Sequence, residues 1–147
     1  MPDLALLTEP YGSMLLASEV PCLIVQWHSF ANRQQFQSLM DRGLALYIEE
    51  SHRTRPLGWL ADTRLVSAIT PDDQQWLRTD WNPRAHAAGI RHVSFVSPES
   101  VFGQLSVQGY TTNTEAADAY AIEVSHHRTL PEAKRWLRQM LHKPAAG

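Results

Sequence analysis

The chain has 147 residues, of which 44% are hydrophobic and 19% are charged, and this balance is typical of one globular domain with a buried core. Thirteen basic against fifteen acidic residues leave a net charge of −2, and the arginines are scattered, which argues against a nucleic-acid-binding protein. No stretch is long and apolar enough for a membrane span, and the single cysteine, Cys22, cannot form an internal disulfide. We therefore expect a cytoplasmic protein.

The first half of the chain predicts a β-hairpin, a helix and a buried strand. Residues 11–17 and 20–27 are short runs rich in branched apolar residues, typical of paired strands. Residues 57–62 form a third apolar run, which ends abruptly at a polar loop. In residues 30–51 the apolar side chains recur at helical spacings of three and four, which predicts a buried face formed by Phe36, Leu39, Met40, Leu44, Tyr47 and Ile48.

A second helix is predicted over residues 70–88, because Thr70 and the proline after it form a typical helix start. Pro83 lies inside this helix and removes one backbone donor, so we expect a kink or break near residues 79–82. Trp76 and Trp81 are five residues apart and cannot point the same way. We expect one of them in the core and the other partly exposed, as a candidate contact with another protein; the alternative is that both lie in the core.

Residues 90–96 predict another strand, and Ser97 is the expected cap of a third helix. Residues 109–118 have no clear period and are expected to be a loop or a frayed helix end. The apolar side chains expected to face inward from this third helix are Val101, Phe102 and Leu105.

The end of the chain predicts an edge strand at residues 119–125 and a last helix at 129–141, which begins at a Thr129 capping box. Residues 143–147 are expected to be disordered. The predicted order is ββαβαβαβα in a single α/β domain spanning residues 1–147, with a folded core at about 11–141 and flexible termini. We expect about five strands in a mostly parallel mixed sheet opened by an antiparallel hairpin, with four main helices.

This order of elements resembles the small bacterial SpoIIAA-like proteins of the STAS superfamily, which includes anti-sigma factor antagonists and the cytoplasmic domains of sulfate transporters. The residues that carry the resemblance are Trp-Leu-Ala-Asp-Thr-Arg at 59–64, Asp-Gln-Gln-Trp at 73–76, Asp-Trp-Asn-Pro-Arg-Ala at 80–85 and Ala-Gly-Ile at 88–90. The resemblance implies a STAS-type fold and a regulatory, non-enzymatic role.

Asp62 and Thr63 match an acid and a phosphorylatable hydroxyl that anti-sigma factor antagonists place at the end of the corresponding strand. The resemblance therefore implies a regulatory or phosphate site at Asp62, Thr63 and Arg64. This chain departs from that pattern after Thr63, because residues 64–69 intervene before the helix cap at Thr70. From the residues alone, the alternative is structural capping of the loop by local hydrogen bonds and an Asp62–Arg64 ion pair.

Two other functions stay open. The layout also resembles lipid-transfer domains, so the alternative is a binder of a small apolar ligand or lipid. An enzyme would need His92 and His126 to converge around the loop after Asp62. Neither a catalytic motif, a cofactor motif nor histidines at metal-ligand spacing are found, so no catalytic residue, cofactor or metal site is expected. The sequence favours a non-enzymatic protein that binds another protein or itself, as a homodimer.

Overall fold

The computed structural model of the protein describes residues 2–143. A mixed sheet of six strands forms its centre. The strands are β1 (Leu4–Glu9), β2 (Gly12–Ala17), β3 (Cys22–Trp27), β4 (Gly58–Asp62), β5 (His92–Val96) and β6 (Glu123–His127). The helices are α1 (Arg33–Ser51), α2 (Pro71–Trp76), α3 (Asn82–Ala87), α4 (Val101–Glu115) and α5 (Leu130–Leu141). A π-helical segment, Leu77–Trp81, joins α2 to α3, so residues 2–143 form four helical units.

The strands lie in the sheet in the order of the sequence. β2 is antiparallel to both of its neighbours, β1 and β3, and β3 to β6 are parallel, which confirms the predicted mixed sheet opened by a hairpin. The sheet has one strand more than predicted, because β1 lies in the segment expected to precede the folded core. β1 contains leucine and alanine but no valine or isoleucine, so its own sequence favours a strand weakly, and pairing with β2 stabilises it.

Helices cover both faces of the sheet. The larger core cluster lies between one face and α1, the π-helical segment, α3 and α4, and it includes Trp59 and Trp81 with ring centroids 5.1 Å apart. On the other face α5 buries Ala133 and Leu137 against Leu60 and its neighbours. The predicted buried face of α1 is confirmed except at Ile48, which is 42% exposed.

The irregularity expected near Pro83 is present as the π-helical segment that ends two residues before it. A proline cannot donate to the carbonyl one turn back and its ring crowds that carbonyl, so the wider π turn relieves both problems. Asn82, 1% exposed, then fixes the segment to α4 by donating to Thr114 Oγ1 at 3.2 Å and by accepting from the Tyr110 hydroxyl at 2.9 Å.

Three predictions for α4 are wrong. Its cap is Ser100, whose side chain accepts from the Gly103 N–H, and the helix continues through residues 109–115. Val101, Phe102 and Leu105 face outward, at 67%, 72% and 65% exposure. The buried stripe of α4 is instead formed by Gly103, Val107, Tyr110, Thr111 and Thr114.

The last elements agree with the sequence in type but not always in position. The predicted strand at 119–125 begins later, as β6, while Tyr120 and Ile122 still lie in the core. α5 begins after the expected Thr129 cap, which accepts from the Glu132 N–H at 3.2 Å. The disorder predicted for residues 143–147 falls, apart from Lys143, outside the described residues.

Candidate functional site

Asp62, the last residue of β4, is buried at 2% exposure, and both of its carboxylate oxygens accept hydrogen bonds. Arg64 donates to it from Nε at 2.9 Å and from a terminal nitrogen at 2.6 Å, and Gln26 Nε2 of β3 donates at 2.9 Å. Burial by itself would raise the pKa of Asp62, but the hydrogen bonds from Arg64 and Gln26 outweigh it and hold that pKa below its ordinary value. The site is therefore a fixed ion pair at the carboxyl edge of the parallel strands.

Thr63 is 3% exposed and bonded through both of its donors. Its N–H donates to the Val96 carbonyl at 3.1 Å, and its hydroxyl donates to the same oxygen at 2.6 Å. In this conformation a phosphate cannot reach the hydroxyl without opening the loop. The geometry therefore suits structural capping, and phosphorylation of Thr63 stays a prediction that requires local opening.

We expect Asp62→Asn to lower the free energy of unfolding at neutral pH by about 1–2 kcal/mol, since asparagine keeps the shape but loses charge-assisted hydrogen bonds to a half-exposed partner. Because the folded-state pKa of Asp62 is lowered, its contribution is present above the unfolded-state pKa of about 3.9 and is lost as the pH falls through the folded-state value. Urea denaturation of both proteins from about pH 7 to about pH 3 measures this difference. A gap that does not shrink in acid would contradict the ion pair's role.

The two candidate interface tryptophans divide as predicted. Trp81 is 1% exposed, and its indole N–H donates to the Met40 carbonyl at 3.0 Å. Trp76 is partly exposed and packs edge-on against Phe36, with the Arg84 guanidinium 5.9 Å from its ring centroid. Trp81 is thus a core residue, and only Trp76 has surface available for an interface.

A larger exposed apolar surface, not predicted from the sequence, lies beside the Asp62 site. Val101, Phe102 and Leu105 lie on the side of α4 opposite its buried stripe, and Leu65 of the loop after β4 is 55% exposed. These four residues are called the α4 apolar surface below. Apolar side chains on the outward face of a helix whose inward face carries hydroxyls are unusual, and exposed clusters of this kind mark interaction sites.

The loop of residues 63–69 connects the Asp62 site to this surface. The Glu99 N–H donates to the Arg64 carbonyl at 3.0 Å, and the Ile69 N–H donates to Ser106 Oγ at 2.9 Å. A Cβ at Gly103 would collide with the Val66 carbonyl, so the loop and the start of α4 are in direct contact. A displacement of the loop would therefore move Leu65 relative to α4.

The histidines His92 and His126 do not converge on the loop after Asp62. His92 begins β5, whereas Asp62 pairs with Val96 at the other end of that strand. His126 stacks on Phe95 on one face of the sheet, while His92 lies against Trp136 of α5 on the other. The proposed convergence of His92 and His126 is therefore wrong. Within residues 2–143, no group of three metal-ligating side chains is positioned to hold an ion.

A serine–histidine contact, also missed from the sequence, lies near Asp62. Ser13 Oγ and His28 Nε2 are 2.8 Å apart. In the sheet, Ser13 of β2 lies opposite Gln26 of β3, and Gln26 lies opposite Asp62 of β4. A catalytic pair needs a group that orients the histidine, yet no carboxylate in residues 2–143 lies within 4.0 Å of His28. The strand N–H groups around Ser13 belong to the sheet ladder and cannot serve an oxyanion. We interpret this contact as structural.

A small apolar cavity of about 40 Å³ lies under the π-helical segment. Small-molecule sites usually have volumes of about 300–1,000 Å³, so the cavity holds no lipid unless the helices above it move. Its aromatic lining consists of Trp27, Phe36, Trp59, Trp81, Phe95 and Tyr110.

Comparison of the chain with protein-family models, with curated proteins and with solved structures gives no match. The resemblance to SpoIIAA-like proteins therefore rests on the sequence runs within residues 59–90 and on the order of elements. Of the helices formed by residues 2–143, none is both long enough and apolar enough to cross a membrane.

Proposed function

We propose that the protein is a non-enzymatic regulatory domain of the STAS type, which binds another protein or a second copy of itself through the α4 apolar surface. The observation that carries the proposal is the outward orientation of Val101, Phe102 and Leu105. An apolar partner surface would remove these side chains from water and gain about 25 cal/mol for each Å² buried. A reducing cytoplasmic location belongs to the proposal and is supported by the unpaired Cys22.

Regulation would act through the loop of residues 63–69. Asp62 and Thr63 hold the start of the loop, and hydrogen bonds to Glu99 and Ser106 fix it against α4. A phosphate on Thr63 would add about −1.5 to −2 charge beside Asp62 and break the bond to Val96. The loop would then move Leu65 relative to α4, which would change the partner surface.

The test is a double variant, Phe102→Ser with Leu105→Ser. Because both side chains are exposed, we expect the free energy of unfolding to change by less than about 0.5 kcal/mol while binding is lost. Sedimentation velocity over a range of concentrations reports self-association, and co-purification from the native cells reports another partner. Ile48→Ser, an exposed apolar residue on α1, is the matched control and should bind like the wild type. Equal binding by both variants would overturn the proposal.

The second candidate is the binder of a small apolar ligand or lipid. The aromatic cavity under the π-helical segment favours it, since π turns are frequent at functional sites and the helical stretch above the cavity is interrupted. At about 40 Å³ the cavity would have to open before it could hold a ligand. Native mass spectrometry of protein purified without detergent separates the two functions: a stoichiometric small mass supports the ligand, and doubled protein mass supports self-association.

A further inference from the structure

A second concave site lies at the opposite edge of the sheet from Asp62, where β4 and β5 begin and α1, α3 and α5 end. It is a cleft of about 430 Å³, within the range of about 300–1,000 Å³ that small-molecule sites occupy. Its lining includes Leu57 and Gly58 from the start of β4 and Gly89 and Arg91 from the turn before β5.

The charged side chains that line this cleft are all basic: Arg55, Arg91 and Lys143. Within residues 2–143, no carboxylate lies within 4.0 Å of their nitrogens, whereas other basic residues do form such pairs, namely Arg42, Arg53, Arg64, Arg84 and Lys134. His92, which also lines the cleft, has its Nδ1 3.2 Å from a Glu123 carboxylate oxygen. The cleft thus concentrates positive charge in a chain whose net charge is −2.

The carboxyl ends of three helices offset part of this positive charge. Arg55 Nε donates to the Ser51 carbonyl at 2.9 Å, and Arg91 donates to the carbonyls of His86 and Ile90, so both satisfy backbone groups at the ends of α1 and α3. The carboxyl end of a helix carries about −0.5 charge, so three ends supply about −1.5 against about +3 from the cations. A positive surplus remains, and each guanidinium keeps further N–H groups for a ligand.

The Tyr47 hydroxyl, on the wall of the cleft, lies within the electrostatic influence of two of these cations. It donates to the Leu57 carbonyl at 2.7 Å, and a Cβ added at Gly89 would lie 3.9 Å from it. Burial raises the pKa of Tyr47 to about 12, while Arg91 and Arg55 both act in the opposite direction. Two guanidinium groups therefore favour negative charge at the same point of the cleft wall.

The remaining wall of the cleft is apolar. Pro56 and Leu57 line one side, and Met140 and Leu141 of α5 line another. A ligand that fits both parts carries an anionic group at one end and a short apolar body at the other. We propose that this cleft binds a small organic anion, whose carboxylate or phosphate group contacts Arg55, Arg91 and Lys143 and whose apolar body lies against Leu57 and Met140.

The test is an NMR titration of the ¹⁵N-labelled protein with octanoate, octyl phosphate and, as the uncharged control, octanol. We expect saturable shifts of the Gly58, Gly89 and Arg91 amide signals with at least one of the two anions, and the stronger of them identifies the anionic group. Octanol should bind at least about tenfold more weakly, because it lacks the charge-assisted hydrogen bonds.

Variants assign the binding to the cleft. Arg55→Gln with Arg91→Gln should weaken the preferred anion at least about tenfold, and Lys143→Gln at least about threefold. Lys143 follows the end of α5 and is exposed, so its change tests binding even if the double variant loses its native spectrum. Arg33→Gln, an exposed arginine at the other edge, is the control. Absence of saturable shifts with both anions, equal binding of octanol, or equal affinity of Lys143→Gln and Arg33→Gln would overturn the proposal.

Discussion

Trp81→Ala is expected to lower the free energy of unfolding by about 3–5 kcal/mol, the range for removing a large aromatic side chain from a core. Trp81 is 1% exposed and packs against Trp59, so alanine would leave a void that the sheet on one side and α1 on the other cannot fill. Its removal would also leave the Met40 carbonyl without the indole donor. Urea denaturation followed by circular dichroism measures the loss without depending on tryptophan fluorescence.

Two further variants separate packing from general damage to this helical stretch. Trp81→Phe keeps most of the ring and should cost about 1–3 kcal/mol, chiefly through the lost hydrogen bond and a smaller void. Trp76→Ala removes a partly exposed ring five residues earlier and should cost less than Trp81→Ala. Equal losses for the two alanine variants would contradict the division into one core and one surface tryptophan.

Thr63→Glu is expected to lower the free energy of unfolding by about 3–5 kcal/mol, because it places a carboxylate without a partner in a site that is 3% exposed and next to Asp62. It also removes the hydroxyl that donates to Val96. The change imitates part of the charge of a phosphate, so it measures how much loop opening phosphorylation would demand. Chemical denaturation gives the value.

The comparison variants for Thr63 isolate the charge from the hydroxyl. Thr63→Val keeps the backbone bond to Val96 and should cost only about 1 kcal/mol. Ser67→Glu adds the same charge at an exposed position of the same loop and should change stability by less than about 0.5 kcal/mol. If Thr63→Glu were as stable as Ser67→Glu, Thr63 would be accessible and the capping role would be wrong.

Most of the fold could be predicted because hydrophobic period and capping act locally. The face of α1 from Phe36 to Tyr47 and the start of α2 at Thr70 depend only on nearby residues, and both are confirmed. α4 could not be predicted in this way. Thr111 and Thr114 are buried because their hydroxyls donate to the carbonyls one turn back, which makes a polar side acceptable in the core. The more hydrophobic side of the same helix is left in water.

The candidate site was predictable only in part for a similar reason. The end of an apolar run at Asp62 indicates a strand delivering a polar loop, and the local pair with Arg64 follows from its spacing. The bond from Gln26 depends on the pairing of β3 with β4, and the bond from Thr63 to Val96 depends on the pairing of β4 with β5. No local pattern in the sequence encodes these contacts. The basic cleft likewise joins Arg55, Arg91 and Lys143 from three separate segments.

The central claim is that the α4 apolar surface contacts a protein, and a photo-crosslinking amino acid placed at position 102 tests it most directly. In cells that make the protein natively, we expect a crosslinked product from position 102 that disappears when Leu105→Asp is added, and none from the same amino acid at position 48 on α1. The mass of the product distinguishes a second copy from another protein. No product from position 102, or equal products from positions 102 and 48, would contradict the account.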